Sequence, residues 1–519
     1  MPLSECTRAC ASLARILTII DSTSNQCYVV GGFVRDSLLG REPQDIDIVV
    51  PGDAFALAQR IAQELGASFI PLDQKHGIAR VVYSPQQQAQ AGMSSEDAQV
   101  VIIDLSRREG SAEDDLAKRD FTIDAMAVPV STVLSCLSGR GTKGEAITPH
   151  ILDTMGGLRD LEDGVIRACT PNAFDDDPGR LLRAVRLSRE LGFTIEPHTE
   201  TLIRERASLT SMVAVERTRE ELLKLLSMAN AAEGVRYLDR LGLLTAVMPE
   251  LETCRDVEQP TVHFWDVLEH SFQTITTYEF LTGQADWRYG NEEMLESVPS
   301  DPACRAYLAA TVSHDSTRDT LIKLTCLLHD IAKPQTKSID DAGRARFLGH
   351  PKEGALIAGD ILKRLRFTGQ EIAFVETLVT HHLRPSQMSD EGMPSSRAVY
   401  RFFRDTGTVG IAVLFFAMAD YLACRGPLFT MGEWRFACQL TDFILREHER
   451  QESIVAPSQL IDGHELMRAL GLEPGRTVGI LLEAIKEAHA AGLIHSEADA
   501  LQLARRTIES EHSTVRTSK

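Results

Sequence analysis

The stretch Gly31–Val50, GGFVRDSLLGREPQDIDIVV, sets two acids, Asp45 and Asp47, one residue apart in an apolar run just after a glycine pair. Strand side chains alternate faces, so a strand over Asp45–Val50 projects both carboxylates from one side and sends Ile46 and Ile48 to the other. Two adjacent carboxylates repel, and a divalent cation between them relieves that repulsion. Hard oxygen ligands suit Mg²⁺, which usually bridges to substrate phosphates. The Gly-Gly turn lets backbone approach a phosphate closely, and Arg35 follows it. Together these residues predict a nucleotidyl-transfer site.

At 519 residues the chain is too long for one core and calls for several domains. A net charge of -20 argues against a broad nonspecific coat of nucleic acid, though not against a local basic cleft. The 10 cysteines include no CxxC pair, which fits a reduced cytoplasmic setting better than disulfides or structural zinc. The N-terminal residues lack a signal-peptide core. The longest apolar run, Ile411–Ala419, is too short to span a bilayer and ends at Asp420. No membrane association is expected.

Short β-rich runs at Cys27–Val30, Ile46–Val50, Ala79–Tyr83 and Val100–Leu105 alternate with a helical pattern at Ala54–Leu65, predicting one small sheet. Ser84–Gln99 reads as an exposed polar loop, and the tail after Ser510 as frayed. From Phe174 onward helical periodicity dominates, interrupted by a turn-rich insertion at Gly283–Thr317.

Asp104, near the end of its apolar run, is a candidate third carboxylate for the metal cage. In KRDFTIDAMA (Lys118–Ala127), Arg119 suits forked hydrogen bonding to a triphosphate. In DDDPGRLLRAVRL (Asp175–Leu187), Pro178 marks a helix start, and Asp177 and Arg180 are neighbours three apart. An acid beside an arginine offers acceptor and donor together, as the polar edge of a base requires. Arg180, Arg183, Arg186 and Arg189 recur every three residues. That row drifts around a helix of 3.6 residues per turn, so only the first two or three line one pocket.

Taken together, GGFVRD, DID, RDFTIDAMA, DTMGGLRDLEDGVIRAC (Asp153–Cys169), DDDPGRLLRAVRL and REELLKLL (Arg219–Leu226) resemble class II tRNA nucleotidyltransferases and the related bacterial poly(A) polymerases. The resemblance implies an α+β chain: a polymerase β-like head with a small mixed sheet, then an elongated all-α body. It implies addition of cytidines and adenosine to the tRNA 3′ end from CTP and ATP, with Mg²⁺ on Asp45 and Asp47. Nucleotide contacts are implied at Gly32, Arg35, Arg119, Asp177, Arg180, Arg183 and Arg186. Two residues depart from the family's usual RRDFTINAMA, Lys118 for arginine and Asp124 for asparagine. The short segment from Asp104 to Arg119, where many relatives carry a longer loop associated with switching to adenosine, leaves CC-only addition open. A-only addition and a poly(A) polymerase activity also stay open.

Further on, LLHDIAKPQT (Leu327–Thr336) sets His329 beside Asp330, with His270 upstream and His350, His381, His382 and Asp420 downstream. The ordered series resembles the HD phosphohydrolases. That resemblance implies a primary metal set of His270, His329, Asp330 and Asp420, with His350 and His381 or His382 supporting a second metal or the phosphate. Imidazole and carboxylate together suit Mn, Ni, Co or Fe. A hydrolase whose head only binds RNA is the alternative from another class. Leu460–Arg506 resembles the C-terminal tail of such fusions. The expected domains are 1–150 (nucleotidyltransferase head), 151–255 (base and RNA binding), 256–450 (HD) and 451–519 (tail). The protein is expected to be a cytoplasmic monomer or homodimer.

Overall fold

The structure, a computed structural model, describes residues 10–516 apart from 25, 44, 75–76, 92–98, 138–146, 261, 300, 314–315, 390–391 and 456–459. The chain divides into two compact units. The first is Met1–Val213 with Leu241–Leu243, and the second is Ala214–Arg240 with Leu244–Lys519. Residues 151–213 thus belong with the head, which divides the expected 151–255 segment.

The first unit is built on a six-stranded sheet. Its strands are β1 (Tyr28–Val30), β2 (Ile46–Val50), β3 (Ser68–Asp73), β4 (Ile78–Tyr83), β5 (Val101–Arg107) and β6 (Ala127–Pro129), in the order β3-β4-β5-β2-β1-β6. Only β2 and β5 pair in parallel; every other pair is antiparallel, so the sheet is mixed. Ile46, Ile48, Ile103 and Leu105 are buried and sit opposite one another across β2 and β5. The amphipathic helix Ala54–Leu65 covers the sheet over β3, β4 and β5. Asp53 caps its start by accepting from the Phe55 and Ala56 amides, and Gly66 (φ +68°) ends it in the left-handed conformation.

Part of the polar stretch expected as a loop is helical. Ser84 and Gln87 form a reciprocal capping box ahead of Pro85, and the helix runs Pro85–Gln90. Its Gln88 is buried and donates to the Tyr83 carbonyl. Residues 92–98 of that stretch lie outside those described.

The second unit is almost wholly helical, with two short hairpins, Thr311–Ser313 with Ser316–Thr317 and Lys337–Ile339 with Ala345–Phe347. Its centre is the helix Val267–Leu281, buried around most of its circumference and packed against Arg318–Leu328 and Gly410–Arg425. The Thr277 hydroxyl donates to the Ala419 carbonyl at 2.8 Å, tying the first and last of these.

Residues 396–428 are longer and more apolar than the run Ile411–Ala419 suggested, with a mean hydropathy of 1.7 over their most apolar window. They form two helices, Ser396–Thr406 and Gly410–Arg425, broken at Gly407 (φ +55°), and most of that window is buried in the protein. A C-terminal core of Leu466, Leu481, Ile485 and Ala500 joins the helices Gly463–Leu470, Arg476–Ala490 and Glu497–Arg516. The last of these continues to Arg516, where a frayed tail was expected after Ser510.

Candidate functional site

In the head, register brings the acids together. Asp47 on β2 stands opposite Asp104 on the parallel neighbour β5, and Asp104 stands opposite Arg80 on β4. Asp45 immediately precedes β2 and is exposed, two residues from Asp47 and therefore on its side of the sheet. Gly31 (φ +73°) closes the other flank. A Cβ there would lie 3.0 Å from Arg119 Nη1 and 3.1 Å from Asp47 Oδ2, so the turn leaves just enough room for these two side chains. The glycine that permits the close approach is Gly31. Gly32 opens the helix Gly32–Leu38, and the space over it is taken by the Arg35 guanidinium.

Burial pushes the Asp47 carboxyl up to about 6; Arg119 opposes the rise, and the charge on Asp104 adds to it. An acid held this way gains most from a cation at its side. Asp104 occupies the expected place, but both of its oxygens accept from Arg80, at 2.8 Å each, in a forked pair. Its charge is already answered by protein, so Asp45 and Asp47 are the acids left for a metal. Arg80 was not singled out from the sequence; a lone arginine inside the apolar strand Ile78–Tyr83 was the signal available.

Arg35 is buried and already paired: it donates through Nε and Nη2 to Asp36 and through Nη1 to Asp124 (2.7 Å). Arg186 is likewise buried and paired with Glu190 one helical turn away. The remaining residues gather on one seam. Arg180 opens the helix Arg180–Leu191, lies 3.9 Å from Asp177 and donates to the Lys118 carbonyl at 2.8 Å. Arg183 donates to Asp120 at 2.7 Å. Arg119 lies 3.5 Å from Asp115. Burial alone would raise Asp120, but Arg183, the Phe121 amide and Arg180 hold it below the usual carboxylate range.

In the second unit, helix ends deliver the histidines. His270 lies in the first turn of Val267–Leu281, and His329 and Asp330 follow Arg318–Leu328. His350 opens His350–Arg364 behind Gly349 (φ +82°), and His382 follows Gly369–His381. His270 Nε2 is 2.9 Å from Asp420 and 3.2 Å from His329 Nε2. His329 Nε2 is 3.1 Å from Asp330, and His350 Nε2 is 3.3 Å from the other Asp330 oxygen.

Two groups converge within ligand distance, His270–His329–Asp330 and Asp330–His350–His382, all buried. The expectation for His381 is corrected here. It lies outside both groups, half-buried beside Arg384 and Asp405, because adjacent positions at a helix end point about 100° apart. His329, His350 and His382 each set Nδ1 against a backbone carbonyl (Cys326, Phe347 and Val379), which turns Nε2 inward.

The donor set fits a metal. Both Asp330 oxygens and His350 Nε2 are buried without a hydrogen bond, and burial keeps His382 neutral, its pKa down to about 3. Burial would lower His329 too, but Asp330 and Asp420 raise it to about 10. Lys333 reaches Asp330 at 2.5 Å, a cation missed at the sequence level although it closes the HDIAK run.

A strand-borne acid pair behind a glycine turn, joined in one chain to a buried histidine–aspartate cluster, defines a nucleotidyltransferase head with an HD domain. Family profiles agree in order: "Poly A polymerase head domain" over residues 27–167, "Probable RNA and SrmB- binding site of polymerase A" over 192–254, and "HD domain" over 303–423. The chain is 31% identical to the A-adding tRNA nucleotidyltransferase of Deinococcus radiodurans over 489 residues, covering 93% of this chain and 95% of that protein. It is 29% identical to the CC-adding tRNA nucleotidyltransferase of Thermus thermophilus, covering 92% and 93%. Its fold matches a Thermotoga maritima CCA-adding enzyme complexed with tRNA at a TM-score of 0.59 and 21% identity, over 96% of this chain and 95% of that one. The chain belongs to the tRNA nucleotidyltransferase family and is a nucleotidyltransferase.

Proposed function

We propose that this chain adds cytidine, adenosine or both to the 3′ end of tRNA from CTP and ATP, without a nucleic-acid template. The observation that carries the reading is Asp47, raised toward neutrality in the row with Asp104 and Arg80, beside exposed Asp45 and a glycine turn that admits Arg119. Asp45 and Asp47 would hold Mg²⁺. When bound there, the ion supplies Lewis acidity to the tRNA 3′ hydroxyl and screens the phosphates. The 3′ oxygen attacks the α-phosphorus in line, forming the new phosphodiester as the bond to pyrophosphate breaks. Arg119 meets the triphosphate, and Asp177 with Arg180 presents acceptor and donor to the base edge. A cytoplasmic setting accords with these substrates.

Between the narrower specificities, the connection from β5 to the helix Ala112–Ala117 favours CC addition. It has only four residues, 108–111, where a longer loop is associated with switching to adenosine. The test offers tRNAs lacking the whole CCA end, its last two nucleotides or only the final adenosine, each with labelled CTP or ATP. Incorporation of C but not A identifies CC addition. A ladder on unrelated RNA with ATP alone would mark a poly(A) polymerase and overturn the tRNA reading.

The HD cluster supports a second activity, phosphohydrolase or 2′,3′-cyclic phosphodiesterase action on RNA ends or nucleotides. Its imidazole-rich donors suit Mn, Ni, Co or Fe, and Lys333 places a cation where a phosphate would approach.

A further inference from the structure

Beside the HD cluster stands a histidine outside both of its converging groups. His263 meets His270 edge-on, with ring centroids 5.5 Å apart, and its Nε2 lies 3.5 Å from Lys333 Nζ. The same ammonium reaches Asp330 and donates to Gln259 Oε1. Backbone bonds fix His263 and its neighbour: the His263 amide donates to the Pro260 carbonyl at 2.8 Å, and the Phe264 amide to the Cys424 carbonyl at 2.9 Å. Cys424 lies about one turn beyond Asp420 on the helix Gly410–Arg425. The Asp420 side chain is 19% exposed where those of His270, His329 and Asp330 are 1%, so the cluster opens to water on this side.

The two residues face different ways. Nδ1 of His329, His350 and His382 is set against a carbonyl, which turns a lone pair on Nε2 toward a metal. Nδ1 of His263 has no hydrogen bond among the described residues. No carbonyl fixes its tautomer, so Nε2 can offer Lys333 a lone pair or an anionic oxygen an N–H. Phe264 points outward, 45% exposed, and stands edge-to-face on Trp265 at 4.6 Å. Gly426 (φ +52°) makes room for it, since a Cβ there would lie 3.2 Å from the Phe264 Cβ. Donors suited to a phosphate and an open aromatic face thus sit on adjacent residues at the mouth of the cluster, the pairing that a nucleotide requires.

We propose that His263 and Phe264 form the substrate edge of the HD site, His263 binding the phosphate with Lys333 and Phe264 stacking the base. This inference rests on the HD phosphohydrolase reading given above and deepens it: the substrate is a nucleotide or an RNA end, recognised by its base as well as its phosphate. Hydrolysis of a 2′,3′-cyclic phosphate adds water across one ribose P–O bond, giving a monoester and a ribose hydroxyl. The nonbridging oxygens carry the charge throughout, and His263 and Lys333 are the donors for it.

The test uses full-length wild type, His263→Ala, His263→Gln and Phe264→Ala. Calorimetry gives Mn²⁺ affinity. Values of kcat and KM are then measured with Mn²⁺ for 2′,3′-cyclic AMP and for methyl riboside 2′,3′-cyclic phosphate, which lacks a base. His263→Ala is expected to lose about fiftyfold in kcat/KM on both substrates while binding Mn²⁺ within about twofold of wild type. His263→Gln, which keeps an N–H donor, recovers most of that loss. Phe264→Ala raises KM about tenfold for cyclic AMP alone, with kcat within about twofold. Should His263→Ala fail to fold, His263→Phe refills the ring volume without a donor, and the same loss is expected. Unchanged kcat/KM in the His263 variants overturns the phosphate role, and weakened Mn²⁺ binding by a folded His263→Ala overturns it too by making His263 part of the metal site. An equal effect of Phe264→Ala on both substrates overturns the base role. If wild type binds Mn²⁺ but hydrolyses neither substrate, the phosphohydrolase reading itself fails and this inference falls with it.

Discussion

Replacing Asp47 with asparagine should abolish nucleotide addition and yet stabilise the metal-free protein. The carboxyl stands at about 6 instead of its ordinary 3.8. At about 1.4 kcal/mol per pH unit, ionising it in the folded state costs about 3 kcal/mol relative to the unfolded chain. The sign follows from proton binding: between 3.8 and 6 the folded state holds the proton more tightly, so stability from this group falls as pH rises through that window and is gone above it. An isosteric amide carries no such cost at pH 8. Because Arg119 then loses part of its partner charge, the net gain is about 1–3 kcal/mol, or about 2–12 °C in the transition that includes the head. Thermal melts in chelator at pH 8 and pH 4 read this directly, with the gain present at pH 8 and absent at pH 4. Incorporation of labelled CTP should drop at least about a thousandfold, since the proposed metal site loses one of its two carboxylates. An Asp47→Asn protein that melts no higher than wild type at pH 8 would refute the desolvation argument, and one that still incorporates CTP would refute the metal assignment.

Arg80→Ala exposes the charge of Asp104 to Asp47, so the upper end of the pH window over which stability falls in chelator should move upward from about 6, read by melts across pH 4–8. His329→Ala should leave nucleotide addition intact and cut metal-dependent hydrolysis at the HD cluster more than about a hundredfold, read as conversion of 2′,3′-cyclic nucleotides to 2′- or 3′-monophosphates. Gly157→Ala should destabilise the head by about 2 kcal/mol or more in denaturant melts, because the new Cβ would sit 2.2 Å from the Thr122 carbonyl oxygen and push on the segment bearing Asp124.

Period-two alternation made β2 legible from the sequence to its end residues, and the 3.6-residue period did the same for Ala54–Leu65. β3 escaped notice because Pro71 interrupts its pattern; as an edge strand with an irregular register at Pro71, it tolerates what a central strand would not. The capping box at Ser84 was hidden by its polar composition, since SPQQ reads equally as loop. The same-face placement of Asp45 and Asp47 followed from strand geometry alone. The choice of His382 over His381 did not, because it depends on which of two neighbours lies just past the helix end.

The arginines were legible as residues but not as contacts, and their burial separates what each can do. Arg35, Arg119, Arg180, Arg183 and Arg186 each lie within 4 Å of an acid, consistent with a chain that is strongly acidic overall. Side chains of Arg35 and Arg186 are only 6% and 9% exposed, and drawing Arg35 to a phosphate would strand Asp124, itself 3% exposed. Arg119 and Arg183 are 21% and 34% exposed, and their partners Asp115 and Asp120 stay near water or within reach of other donors when the pair opens. The proposed triphosphate contact therefore falls to Arg119 and Arg183 rather than to Arg35.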